Sequence, residues 1–392
     1  MTAFTASRAA RLVAAFDLSG IHRVAAPGDF ASGEWLAGEA VATGAAVSRM
    51  PVAVNRTLVD EAYIDCAGQR IDGLPMFDSP PTSGAGVAGK LVASGGAGEI
   101  GYLELPPNSA SIKGMRFENI RRNTRHAALV VATRVAGDSL APINAQYFDA
   151  PFGPPVLLVA GAHHALLDGQ ARKNVAVTLV NIHRRESTQS YNVVARIAAA
   201  SKNGAASAPL AVLTPRTGWW ESTAERAGGL VAWLAGLAAA TALRERTQLR
   251  RDVHAFATCD HELGHLGLHE LLTREAGLVR DAHLWLHLGA NLGCASNLTL
   301  FLRASDPAAA DHMRALLVAE GYPAEFIRSE PITAVSGEGR DLVEHGAQVI
   351  SMAGSNAHFH AASDRWPGNV NAAGTAAIAR AVGRWVALTA AQ

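Results

Sequence analysis

Strand–helix alternation in the second half of the chain predicts an α/β fold, with a mostly parallel or mixed central sheet flanked by helices. From residue 192 onward, strands are expected at 193–197, 210–213, 253–258, 284–288 and 348–352, and helices at 225–244, 264–273, 307–320 and 372–388. The text before it is different. Short apolar runs separated by turn-rich stretches such as SPPTSGAG (79–86) predict a β-rich inserted domain over 79–185, so that 1–78 and 186–392 together form the α/β domain.

Each element has its own signal. Leu12, Val13 and Phe16 share the apolar face of an amphipathic first helix, and a second helix is expected near 32–43. Segments 129–133 and 155–160 are apolar and unalternating, as strands buried on both faces are, while 175–182 alternates through Val175, Val177 and Leu179. Pro307, after Ser305 and Asp306, suits a first helical position, where its missing N–H costs nothing.

Bulk composition removes several function classes. Lys plus Arg and Asp plus Glu both number 34, so no long-range field draws the chain to nucleic acid or to an anionic membrane. The most apolar stretch, 230–243, is too short to span a bilayer and ends at Arg244. Arg8 and Arg11 break the apolar character of the start, which does not read as a secretory signal. Cys66, Cys259 and Cys294 are odd in number and widely spaced, which argues against a disulfide framework and fits a cytoplasmic location.

In sheets of this kind ligands sit beyond the carboxyl ends of the strands. Four loops qualify: 214–229, 259–267, 287–294 and 353–364. They hold His261, His265, His287, His358 and His360 with Glu221, Glu225, Asp260, Glu262 and Asp364, a mixture of imidazole and carboxylate suited to zinc or manganese. The run His261-Glu262-Leu263-Gly264-His265 has the zincin spacing, in which two histidines share a helix face and the Glu activates water. Gly264 and Gly267 are poor residues for that helix, and the extended metzincin pattern would need its next Gly and His at Leu268 and Leu271.

The strand-turn-helix text VHAFATCDHELGHLG resembles the metallopeptidase family of bacterial leucyl aminopeptidases and glutaminyl cyclases. Phe359-His360-Ala361-Ala362-Ser363-Asp364 looks like that family's late Tyr-His-Thr-x-x-Asp, and 224–230 looks like its Asp-Asn-Ala-Ser-Gly-Val helix start. The segment 79–185 is similar to the protease-associated domain of many members. The resemblance implies that Glu225, Glu262 and His360 bind a metal ion, with His287 near a second position. It departs from the family in lacking a His in 214–220 and in placing His261 where a general-base Glu is expected. One zinc, or another divalent transition metal such as manganese, is therefore expected rather than two.

On this reading His261 takes the proton from water, its tautomer held by Asp260. Arg216 clamps a substrate carboxylate beside Trp219 and Trp220, although the two tryptophans equally suit a core and Arg216 an ion pair. The expected activity is metal-dependent hydrolysis of an amide or related bond in a small amino-acid conjugate or peptide. Two alternatives stand beside it: a catalytically silent binding protein, and a cyclase-like single-zinc enzyme. The partner is a small molecule or peptide, with homo-oligomerisation left open.

Overall fold

The computed structural model describes residues 4–110, 116–199 and 207–392. Two helices, α1 (Ala6–Leu18) and α2 (Pro27–Ala42), lead into the hairpin strands β1 (Ala46–Cys66) and β2 (Gln69–Pro75). Then come β3 (Val87–Ala93), β4 (Ile100–Leu105), α3 (Arg116–Asn123), β5 (Ala128–Thr133), β6 (Val156–Ala160), α4 (His164–Arg172) and β7 (Ala176–Ile197). The remainder alternates: β8 (Ser207–Pro215), α5 (Thr223–Glu245), β9 (Arg251–Thr258), α6 (Leu266–Arg274), α7 (Ala276–Asp281), β10 (Leu284–Leu288), β11 (Leu300–Ala304), α8 (Pro307–Ala319), β12 (Ile327–Pro331), α9 (Glu338–Glu344), β13 (Val349–Gly354) and α10 (Ala372–Ala390).

The main sheet has the order β7-β9-β8-β10-β13-β11-β12. Strands β9, β8, β10 and β13 run parallel to one another, while β7 and β11 join them antiparallel, so the sheet is mixed, as expected. Its two faces are covered because side chains alternate along each strand. Val193, Leu210, Val212, Val253 and Ala255 pack towards α1, α5, α8 and α10, and Val194, Ala211, Leu213, Phe256 and Trp285 pack towards α6, α7 and α9. Helix α5 is apolar and long enough to cross a membrane, but it is enclosed in the core against α10.

Segment 79–185 supplies β3 to β6, α3, α4 and the start of β7. These strands close into a ring, β1-β2-β6-β5-β4-β3-β7, through the antiparallel pairing of β1 with β7. The ring encloses its own apolar cluster, including Ile64, Leu91, Val130, Leu157 and Leu179. Pairing therefore runs across residue 185: β1 and β7 are single antiparallel ribbons, β1 running from the main sheet into the ring and β7 from the ring into the main sheet.

Candidate active site

Strand β9 ends in a chain of unusual backbone conformations. Asp260, Gly264 and His265 are left-handed (φ 59°, 90° and 62°), and only the short 3-10 turn His261–Leu263 separates them. Ser222 before α5, Asn291 after β10 and His360 also have positive φ. Non-glycine residues in this region cost about 1–2 kcal/mol each, so packing must enforce them, and such clusters mark functional loops. Because α6 starts only at Leu266, His261 and His265 do not share a helix, and the zincin spacing is coincidental.

The first turn of α5 brings Glu225 and Arg226 to the same place. Gly228 lets α5 lie directly against the loop after β10, since a Cβ there would lie 1.6 Å from the Leu292 carbonyl oxygen. Asp364 receives the N–H groups of Ala224 and Glu225 at 3.2 and 2.9 Å and so caps the helix start, which Ser222 does not.

Glu225, Glu262 and His360 do converge, but around a cation supplied by the chain. Nη2 of Arg226 lies 2.7 Å from Oε1 of Glu225 and 2.7 Å from Oε1 of Glu262. Its Nε donates to the Thr217 carbonyl, and the Thr217 hydroxyl donates to the other Glu262 oxygen at 2.9 Å. His360 Nδ1 donates to the Pro142 carbonyl at 2.8 Å, which leaves Nε2 facing Glu225 Oε1 at 3.5 Å with no hydrogen-bond partner. All four side chains are buried. Burial pushes the Glu225 carboxyl up to about 8 even though Arg226 opposes it, and pulls His360 down to about 3.

This donor set does not fit a divalent ion. Zinc would need carboxylate oxygens about 2.0–2.2 Å away, in the space that Arg226 Nη2 fills. Both Glu262 oxygens are already engaged. Among the described residues no group of three or more His, Cys, Asp or Glu could hold a metal.

His287 belongs to a second cluster, beyond the carboxyl ends of β9, β10 and β13. It lines a cavity of about 590 Å³ with His261, His265, Arg134, Arg303 and Arg340. Its Nδ1 meets Ser351 Oγ at 2.9 Å, its Nε2 has no partner, and burial pulls it down to about 4. His261 and His265 stack with ring centroids 4.6 Å apart. His265 turns into this cavity, away from the Glu225–Glu262–His360 cluster, and shares a hydrogen bond of 2.6 Å with Asp341. The left-handed conformation at His265 redirects the side chain before the helix begins.

Two expected roles shift accordingly. The carboxylate facing His261 is Glu338, 3.4 Å from Nδ1, rather than Asp260, whose own oxygens lack hydrogen-bond partners and which burial pushes well above the ordinary carboxylate range. Arg216 does not reach the cavity. It is buried in an ion pair with Asp29, next to Ser190 and the Tyr191 carbonyl, so no arm is left to clamp a substrate. Trp219 is core, its indole N–H bonded to Asn144. Glu338 and Asp341 were not foreseen because the strand before them, β12, is short and largely exposed and leaves no apolar run in the sequence, and Arg226 because the ligand-type carboxylate beside it is the stronger signal. A cation in the first turn of a helix opposes the macrodipole, and that was the available signal.

The architecture is that of the aminopeptidase-like α/β proteins. A zinc aminopeptidase from Bacillus subtilis superposes with a TM-score of 0.71 at 14% identity, covering 100% of this chain and 95% of its own. A peptidase M28 precursor from Shewanella amazonensis gives 0.70 at 16% identity, covering 98% and 94%. Glutaminyl cyclase from Porphyromonas gingivalis gives 0.51 at 11% identity, covering 99% and 100%. No family model matches the chain, and no curated protein matches it. At these identities the likeness establishes the fold, as the resemblance in the sequence led one to expect.

Proposed function

We propose that this chain binds a small, carboxylate-bearing, peptide-like ligand in the cavity beyond β9, β10 and β13, as a peptidase-fold protein without a resident ion. The observation that carries this reading is the lining: three arginines and three histidines face the cavity, and no Asp or Glu is among its described lining residues. Arg134 and Arg303 are partly neutralised by Glu104 and Glu330, at 2.7 and 2.6 Å. Arg340 has only distant carboxylates, 3.7 Å to Asp341 and 3.9 Å to Glu344, and is the freest to meet an anion. Asn144, Asn291 and Asn356 add neutral groups suited to peptide amides. Peptide-type ligands are also what the names of the aminopeptidase neighbours suggest.

Metal-dependent hydrolysis, the activity expected from the sequence, is the reading that Arg226 disfavours. The test is calorimetric titration of the whole protein with short dipeptides and with their C-terminal amides, in buffer containing chelator. Carboxylates should bind and the amides should bind at least about tenfold more weakly, a difference of about 1.4 kcal/mol. Equal binding, or none, overturns the proposal.

A second reading, hydrolysis in the same cavity, is favoured by one observation: a histidine hydrogen-bonded to a carboxylate, His265 to Asp341, lines it. Incubating the dipeptides in ¹⁸O-labelled water decides between binding and turnover, since only hydrolysis places solvent oxygen in the product.

A further inference from the structure

We propose that Arg226 takes the place of a metal ion in this chain: its guanidinium is the permanent cation of the Glu225–Glu262–His360 cluster, and it closes a latent divalent-metal site. This holds whatever the neighbouring cavity binds.

The geometry is that of substitution rather than coexistence. One nitrogen of Arg226 is 2.7 Å from both carboxylates, so an ion drawn to the same two oxygens would collide with it. Like charge would add repulsion in a site shielded from water. Nor is the arginine a surface side chain that has drifted in. It is 1% exposed and anchored at its Nε by the Thr217 carbonyl, on the loop between β8 and α5. Burying an unpaired guanidinium costs several kcal/mol, so the two carboxylates are what hold it there.

The other donors are arranged as ligands are. His360 gives its Nδ1 proton to the Pro142 carbonyl, which fixes the tautomer and aims the Nε2 lone pair at Glu225. That nitrogen and Glu225 Oε1 lie 3.5 Å apart, and neither is hydrogen-bonded. Two ligands of one tetrahedral zinc, each about 2.0–2.1 Å from the ion, stand about 3.3 Å apart. Two lone pairs facing each other at this distance need a cation or a proton, and shortening Arg226 would leave room for the first.

The experiment measures zinc content by elemental analysis, and zinc binding by calorimetry and by the shift in Tm, on the full chain after chelation. The wild-type protein should take up no stoichiometric zinc and show no Tm shift. Arg226→Ala should bind one equivalent and gain several degrees in Tm with zinc, and Arg226→Ala combined with Glu262→Gln should lose that gain. If Arg226→Ala fails to fold without metal, Arg226→Gln, which keeps most of the bulk without the charge, is read in the same way. A wild-type chain carrying one equivalent of zinc that His360→Ala loses overturns the proposal. So does an Arg226 variant that folds and ignores zinc.

Discussion

The His265 imidazole and the Asp341 carboxylate, 76 residues apart in sequence, share a hydrogen bond of 2.6 Å between the turn after β9 and helix α9. Burial alone would raise the Asp341 carboxyl, but the bond and the charge of His265 outweigh it and hold the group below its ordinary value. The pair ties the turn after β9 to α9, and with it one wall of the cavity to another. Asp341→Asn should lower stability by about 1–3 kcal/mol, the usual range for a buried hydrogen bond to a charged group, as read by denaturant unfolding at neutral pH. Wild-type stability in that variant would mean that the turn and α9 are held together by other contacts.

Arg340 tests the charge of the cavity directly. Its nearest carboxylate oxygens are 3.7 and 3.9 Å away, so its removal leaves no tightly paired partner behind. Arg340→Gln should weaken dipeptide binding by about tenfold, or about 1.4 kcal/mol, with stability little changed. The loss should shrink as salt is added, because partly exposed charges are screened. Undiminished calorimetric affinity would place the carboxylate elsewhere.

Much of the main sheet and its helices was legible because burial leaves periodic traces. The strands at 284–288 and 253–258 read as apolar runs bounded by turns, and they stand where β10 and β9 are. The single ribbon β7 read as two separate strands, because Arg184, Arg185, Glu186, Ser187, Thr188 and Gln189 pair with β1 between the main sheet and the ring, where no buried face imposes alternation. The convergence of Glu225, Glu262 and His360 was legible through resemblance. The cation among them was not, since nothing in a one-dimensional pattern says whether a carboxylate faces an ion or the next residue's own guanidinium.

Arg216 and Asp29 give a prediction about stability that should leave ligand binding alone. Both are at most 1% exposed, and the Ala25 N–H and Ser190 hydroxyl also donate to Asp29. Removing one partner strands a buried charge: Arg216→Met should cost about 3–5 kcal/mol, and pairing it with Asp29→Leu should recover part of that loss. Thermal unfolding of the two single variants and the double variant measures the coupling. Dipeptide affinity in any variant that folds should match the wild type. If Arg216→Met abolished binding while stability held, the carboxylate clamp expected from the sequence would be reinstated.

His22 provides the pH dependence. Its ring is fully buried, stacks on Phe16 at 3.8 Å and lies against the carbonyl oxygens of Glu221 and Phe16 at 2.6 and 3.1 Å. Burial pulls it down to about 4, against the two carbonyls and the charge of Asp29, with Arg216 adding slightly to the depression. In the unfolded chain a histidine titrates near 6.5, so between these values the unfolded state binds the extra proton. Stability from neutral His22 is therefore fully present above about pH 6.5, falls as the pH drops toward 4, and is gone below that. The full span corresponds to about 3 kcal/mol at most. His22→Gln should be less stable than the wild type at neutral pH, with the gap closing steadily as the pH is lowered from 7 to about 4. Denaturant melts of both proteins at half-unit pH intervals measure the gap. A constant difference across that range would show that His22 titrates alike in the folded and unfolded chains, which its burial forbids.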